Sequence, residues 1–154
     1  MKDLRKFYVD GEWVDPICAN DLAVENPATE ELVATISLGA MADVNRAVAA
    51  AKHAFPSYSQ TSVEERIALL ENLLTIYSDR YDEMAVAISI EMGAPISFST
   101  TAQADCGRGH INAALDALKE FEFERQIGST KVVKEAIGVC GCLLYTSPSP
   151  RDYT

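Results

Sequence analysis

From residue 62 to residue 121 the chain carries helical periodicity almost without a break, and β-rich sequence flanks that block on both sides. The order along the chain is thus strands, helices, strands. The block opens on Ser62-Val63-Glu64-Glu65, a capping box in which the serine hydroxyl accepts from the N3 amide while Glu65 reaches back to the cap. Ile67, Leu70, Leu74 and Tyr77 form the stripe that should be buried, and Leu69, Leu73 and Ile76 widen it until both sides of the helix need neighbours. A new cap is expected at Ser78-Asp79, with helical pattern through Met84, Ile88 and Glu91 as far as Gly93 and Pro95. Another long helix is expected over 97–121, where Ile111, Leu115 and Leu118 keep the spacing. Gly107 and Gly109 each weaken that helix by about 1 kcal/mol, which points to close packing.

Before the helical block, residues 7–14 read as two short β runs around Asp10-Gly11, a pair that tolerates the positive φ angles of a type I′ turn. A β segment at 22–24 is broken by Asn26-Pro27, and a strand resumes over 32–37. Val44, Ala47, Val48, Ala51 and Phe55 share one face of a helix over 43–55, which Pro56 is expected to stop. After the block, Thr130-Lys131-Val132-Val133-Lys134 is β-branched, and the apolar run 137–141 has the character of a buried strand.

Composition narrows the function classes. Of 154 residues 48% are hydrophobic and 23% charged, the balance of a globular protein rather than of collagen, coiled coil or disorder. Lys plus Arg number 13 against 23 Asp plus Glu, so the net charge of −10 repels nucleic acid. No apolar run reaches the roughly 18 residues of a membrane span, and the first residues lack the apolar region of an export signal. Cys18, Cys106, Cys140 and Cys142 are irregularly spaced, which favours reduced thiols and a cytoplasmic origin. His53 and His110 have no partners at metal-ligand spacing.

The motifs recur together in one family. The hairpin 7–14, then Val24-Glu25-Asn26-Pro27-Ala28-Thr29-Glu30, then Ala42-Asp43-Val44-Asn45-Arg46-Ala47-Val48-Ala49-Ala50-Ala51 resemble the opening of the aldehyde dehydrogenase superfamily. Glu65-Arg66, Glu91-Met92-Gly93-Ala94-Pro95 and Lys134-Glu135-Ala136-Ile137-Gly138-Val139-Cys140-Gly141 extend the resemblance to residue 141 in the family's order. Ala94 departs from the many members with lysine at this place, which leaves the substrate subgroup open.

The resemblance implies an α/β fold: the N-terminal part of a cofactor-binding lobe with an incomplete Rossmann-like sheet. Residues 1–128 would belong to the cofactor-binding domain, 129–136 to an oligomerisation-arm strand, and 137–141 to the first strand of the Rossmann-like sheet, truncated. It implies enzymes that oxidise aldehydes to acids with NAD or NADP, working as homo-oligomers, dimers or tetramers. In them a cysteine thiolate attacks the carbonyl, hydride leaves to the nicotinamide, and a glutamate-activated water hydrolyses the thioester.

After Gly141 the family continues into a Thr-Pro-Trp-Asn-like segment lining the cofactor cleft, with the catalytic glutamate and cysteine further on. Here residues 142–154 instead resemble the conceptual translation of a transposase adapter used in sequencing libraries. That tail is expected to be artefactual. The chain as written is then expected to lack any catalytic or cofactor-binding residue, to bind no cofactor tightly and to be inactive. The alternative is a non-catalytic interaction module that pairs with a full-length subunit by β-addition through 130–135.

The resemblance implies that Glu91, with carbonyls near the Asn26-Pro27 turn, lies by a monovalent-cation site, whereas the residue alone reads as an ordinary helix C-terminal glutamate. Cys140-Gly141-Cys142 reads as a buried strand thiol beside the tail rather than a redox pair, and Cys18 and Cys106 as inert thiols. Gly107-Arg108-Gly109 lacks the third glycine and the preceding strand of a dinucleotide fingerprint. His110 has no motif partner to serve as a base for. Glu64, Glu65, Asp79, Asp82 and Glu83 suit helix starts, and Phe7, Tyr8 and Trp13 suit hairpin packing.

Overall fold

The structure is a computed structural model that describes residues 2–142, so most of the adapter-like tail, 143–154, lies outside the described residues. Strand β1 (Lys2–Leu4) pairs in parallel with β5 (Leu32–Ser37), and β4 (Asp21–Glu25) pairs antiparallel with β5 on its other side. The resulting order is β1-β5-β4. Ala34 and Ser37 on the central strand are its buried residues. Between β1 and β4 stands the expected hairpin of β2 (Phe7–Val9) and β3 (Glu12–Val14), with φ of 55° at Asp10 and 82° at Gly11, as its turn requires. Tyr8 faces Trp13 across it, ring centroids 5.3 Å apart.

Helix α1 (Met41–Tyr58) does not stop at Pro56, which lies inside it. Proline removes one amide donor, but the residues after it still bond backwards, Ser59 N–H to the Phe55 carbonyl at 2.8 Å. The hydroxyls of Ser57, Ser59 and Thr61 donate to the carbonyls of Ala54, Pro56 and Tyr58, so the final turn leaves few acceptors bare. At its other end Asp43 is buried: Oδ2 accepts from the Ala40 amide at 3.0 Å and Oδ1 from the Ile17 amide at 2.9 Å. One carboxylate thereby caps the helix and ties down the loop before β4.

The capping box at Ser62 and Glu65 is formed in both directions, at 3.1 Å and 2.7 Å, and starts α2 (Val63–Asp79). The junction to α3 (Tyr81–Met92) falls at Arg80, later than the expected cap at Ser78-Asp79, because the Ser78 hydroxyl turns back to the Leu74 carbonyl and leaves no side-chain cap. Gly93, with φ 67°, ends α3 as a left-handed cap. The long helix expected over 97–121 is instead three pieces: α4 (Ile96–Phe98), a π turn over Ser99–Gln103, and α5 (Ala104–Glu120). Helix α2 packs along α5, and α3 packs on the π turn. Ala85, Ser99, Ala104 and Leu115 are buried where these pieces meet.

A hairpin of β6 (Glu124–Ile127) and β7 (Thr130–Val133) follows, turned by Gly128 at φ 59°. Only its second strand is legible in the sequence. The strand expected over 137–141 is absent: residues 134–142 carry no regular structure, and Ile137 is 95% exposed. A strand buried on both faces needs neighbours, and none lies beside this run among the described residues. Cys140 is for the same reason exposed rather than buried.

The faces expected to be covered are partly open. Ile67, Leu70, Leu74 and Tyr77 are half-buried against α5, while Leu69, Leu73 and Ile76 remain exposed on the far side of α2. On α1 the apolar face of Val44 and Val48 is also exposed.

Candidate functional site

The turn between β4 and β5 is built by Asn26. Its side-chain oxygen accepts from the Ala28 amide at 2.9 Å, its carbonyl accepts from Glu30 at 2.8 Å and Thr29 at 3.2 Å, and its own amide donates to Glu31 at 2.9 Å. The end of α3 rests on this turn. A Cβ at Gly93 would stand 2.9 Å from Pro27 Cγ and 3.1 Å from the Ala28 nitrogen, so the contact is backbone against turn with no room for a side chain. Ser89 Oγ closes the helix end by donating to the Ala94 carbonyl at 2.7 Å. Glu91 lies on the last turn of α3 and is exposed.

A second constellation holds the π turn, and the sequence reading missed it. A π turn shifts the helical ladder by one residue, so Ala104 bonds back to Ser99. Tyr77 Oη donates to the Ala104 carbonyl at 2.7 Å, and Tyr81 Oη donates to the Thr100 carbonyl. The two rings meet edge to face, centroids 6.4 Å apart, and the Arg108 guanidinium lies 5.1 Å over the Tyr81 ring. Ser99, fully buried, donates to Gln103 Oε1 at 3.0 Å. Burial pushes the Tyr77 phenol above its ordinary value, reinforced by Tyr81 and Asp105. The raised value keeps the hydroxyl protonated and able to donate. Two tyrosines one turn apart at a helix junction were the available signal, but only the π turn gives their hydroxyls a target.

The structure brings none of the other singled-out residues together into a reaction centre. Cys18, Cys106, Cys140 and Cys142 are free and exposed. His53 and His110 are exposed on different helices. Among the described residues no group of three His, Cys, Asp or Glu is placed to hold a metal ion. Gly107 and Gly109 lie inside α5, where their amides serve the helix and cannot cradle a phosphate, so this part of the chain does not fit a dinucleotide. Gly107 is closely packed as expected, against Tyr77, but Gly109 has nothing within 4 Å because it faces outward. Asp43 is held below the usual carboxylate range by the Ile17 and Ala40 amides, and Asp3 is held at about 2 by hydrogen bonds from Arg5.

With the geometry in place, the comparisons with known proteins identify the class. A model of the aldehyde dehydrogenase family matches residues 13–144, and the chain belongs to that family. A 3-succinoylsemialdehyde-pyridine dehydrogenase of a Pseudomonas species is 44% identical over 144 residues, which are 93% of this chain and 30% of that protein. The crystal structure of an aldehyde dehydrogenase from Bartonella henselae superposes with a TM-score of 0.82 at 44% identity, over 84% of this chain and 28% of that one. A variant of aldehyde dehydrogenase C from Pseudomonas syringae, in complex with NAD+ and octanal, gives 0.80 at 42% identity, over 82% and 26%. The α/β fold is that of the N-terminal portion of such structures. The chain spans about 30% of the length of the curated relatives it matches. No helix among the described residues is long and apolar enough to cross a membrane.

Proposed function

We propose that the chain is the N-terminal part of a cytoplasmic NAD- or NADP-dependent aldehyde dehydrogenase, which oxidises an aldehyde to a carboxylic acid through a cysteine thiohemiacetal and thioester. The family match over 13–144, at 30% of the relatives' length, carries the reading. The relative bound to NAD+ and octanal supports a nicotinamide cofactor and an aldehyde substrate for the whole enzyme. In this division residues 1–128 are scaffold of the cofactor-binding domain, 129–136 belong to the arm through which a homo-oligomer forms, and 137–141 enter a parallel sheet only once its other strands are present. The tail 142–154 is read as foreign sequence, although the family match itself runs on to residue 144.

The nucleophilic cysteine, the glutamate and the cofactor cleft lie in the remaining part of the family chain. Purified chain mixed with octanal and NAD+ or NADP+ should therefore give no oxidation above a blank, and NAD+ should give no saturable binding heat. A rate above the blank would overturn the reading.

Glu91 would serve a monovalent-cation site together with carbonyls of the Asn26 turn. The packing of Gly93 on Pro27 and Ala28 supports this by placing that helix end beside the turn. A potassium-dependent melting temperature in an intact homologue, lost when the residue equivalent to Glu91 is changed to alanine, tests it. The second reading, an interaction module, is favoured by the β6–β7 hairpin, a separate two-stranded sheet whose outer edges are unpaired among the described residues. Co-purification with a full-length relative distinguishes it.

A further inference from the structure

A two-stranded hairpin closed only by its turn frays from the open end. Among the described residues strands β6 and β7 pair only with each other, so neither their pairing nor their direction is set by a surrounding sheet there. Their open end is nevertheless tied to the rest of the chain. Lys134 N–H donates to the Phe123 carbonyl at 2.8 Å, one step beyond the last pair, Glu124 with Val133. Around that bond four side chains form a row of two adjoining rings with a cation over each. The Arg66 guanidinium lies 5.0 Å over the Phe123 ring, Phe123 meets Phe121 nearly edge to face at 4.7 Å, and Lys134 Nζ lies 4.0 Å over Phe121.

Arg66 is itself fixed. Its Nε donates to the Ser62 carbonyl and its Nη2 to the Thr61 carbonyl, both at 3.2 Å, at the capped start of α2. The stack therefore runs from the best-anchored point of the helical layer to both stems of the hairpin. Each cation lies over its own ring, where the negative face of the aromatic attracts it.

We propose that Arg66, Phe123, Phe121 and Lys134 form a clamp that closes the open end of the β6–β7 hairpin and sets the direction in which it leaves the body. These are positioning residues: they hold the hairpin, and its strand edges are left for pairing with another chain. The use of those edges rests on the arm reading above, while the clamp itself does not.

The test is amide hydrogen exchange on the full chain, followed residue by residue. Lys134→Gln removes one charge from an exposed position, and Phe123→Leu removes one ring. In both, the ladder amides of residues 134, 125 and 132 should exchange about two- to five-fold faster, as expected for losing one cation–ring contact. Amides beside the Gly128 turn should change less, and those of α2 and α5 not at all. Lys134→Arg keeps a cation over Phe121 and should restore the protection that Lys134→Gln loses. Unchanged stem exchange in Lys134→Gln, or equal loss in the glutamine and arginine variants, overturns the clamp. If Phe123→Leu loosens the whole chain, the two Lys134 variants decide alone. Sedimentation of the same samples reports separately on the arm: a chain that stays monomeric with its stem protected removes the arm reading and leaves the clamp standing.

Discussion

Tyr77 fills the space in which a side chain at residue 107 would stand. A Cβ on Gly107 would overlap Tyr77 Oη and lie 2.7 Å from Cζ, and the same hydroxyl is bonded to the Ala104 carbonyl one turn earlier on α5. The absent side chain and the tyrosine hydroxyl are two halves of one contact between α2 and α5.

Gly107→Ala should therefore destabilise the chain although alanine is the better helix former. Overpacking costs about 1–3 kcal/mol, and the propensity gain returns about 1 kcal/mol. Tyr77→Phe should cost about 1 kcal/mol for the lost hydrogen bond, and in its background Gly107→Ala should cost less, because the overlapping oxygen is gone. Gly109→Ala, facing open space on the same helix, should stabilise by about 0.5–1 kcal/mol. Urea denaturation of the four variants checks the signs. Equal effects at 107 and 109 would show that Tyr77 does not occupy the space described.

Asp43 makes the pH dependence predictable in sign. Its carboxylate, held down by the Ile17 and Ala40 amides, has a folded-state pKa below the unfolded value of about 3.9. A group shifted this way stabilises the fold above its unfolded value, and that contribution is lost as pH falls through the folded-state value. The melting temperature should fall on acidification below about pH 4. Asp43→Asn should melt lower at neutral pH, since one of two amides now faces an NH2 group, and should depend less steeply on pH in that window. A remaining acid slope belongs to the other carboxylates held below their usual range, Asp3 at about 2 beside Arg5 and Glu64 in the first turn of α2. A variant as acid-sensitive as the parent would place the titrating group elsewhere.

Where local chemistry decides conformation, the chain is readable in advance. Asp10-Gly11 can turn a hairpin by itself, Ser62 and Glu65 need only each other, and the spacing of Ile111, Leu115 and Leu118 places them on one face whatever lies opposite. What is not legible depends on a partner element rather than on the segment's own residues. Strands β1 and β6 read Lys-Asp-Leu and Glu-Arg-Gln-Ile, with no alternation of apolar residues, and exist because β5 and β7 pair with them. The π turn needs two tyrosines from other helices. The run 137–141 has a strand's composition and no strand's neighbours. The site behaves similarly: the family is legible in the order of motifs, whereas the contacts of Tyr77 and Tyr81 with the π turn are not.

Gly93 should tolerate no side chain. Its φ of 67° is strained for an L residue, and Pro27 Cγ and the Ala28 nitrogen already occupy the Cβ position. Gly93→Ala should cost more than the roughly 1 kcal/mol typical of a surface left-handed position, because backbone must move as well. Amide exchange of Ala28 and Glu30 should accelerate, reporting separation of α3 from the Asn26 turn. Normal protection at those amides would mean the turn stands without the helix end.

The exposed apolar faces give the last prediction. Val44 on α1 is 57% exposed and Leu115 on α5 only 4%, although both lie in stripes whose spacing marks them for burial. Leu115→Ala should cost about 2–5 kcal/mol as a core truncation. Val44→Lys should change stability by no more than about 0.5 kcal/mol, since it removes little buried area. It should, however, reduce dye binding and aggregation, because Val44, Val48 and Met41 together present a face that a globular surface seldom leaves bare. Melting curves and light scattering separate the two effects. A Val44→Lys chain as unstable as Leu115→Ala would mean that α1 is covered in solution, most simply by a second copy of the chain, and sedimentation would then show the variant as the smaller species.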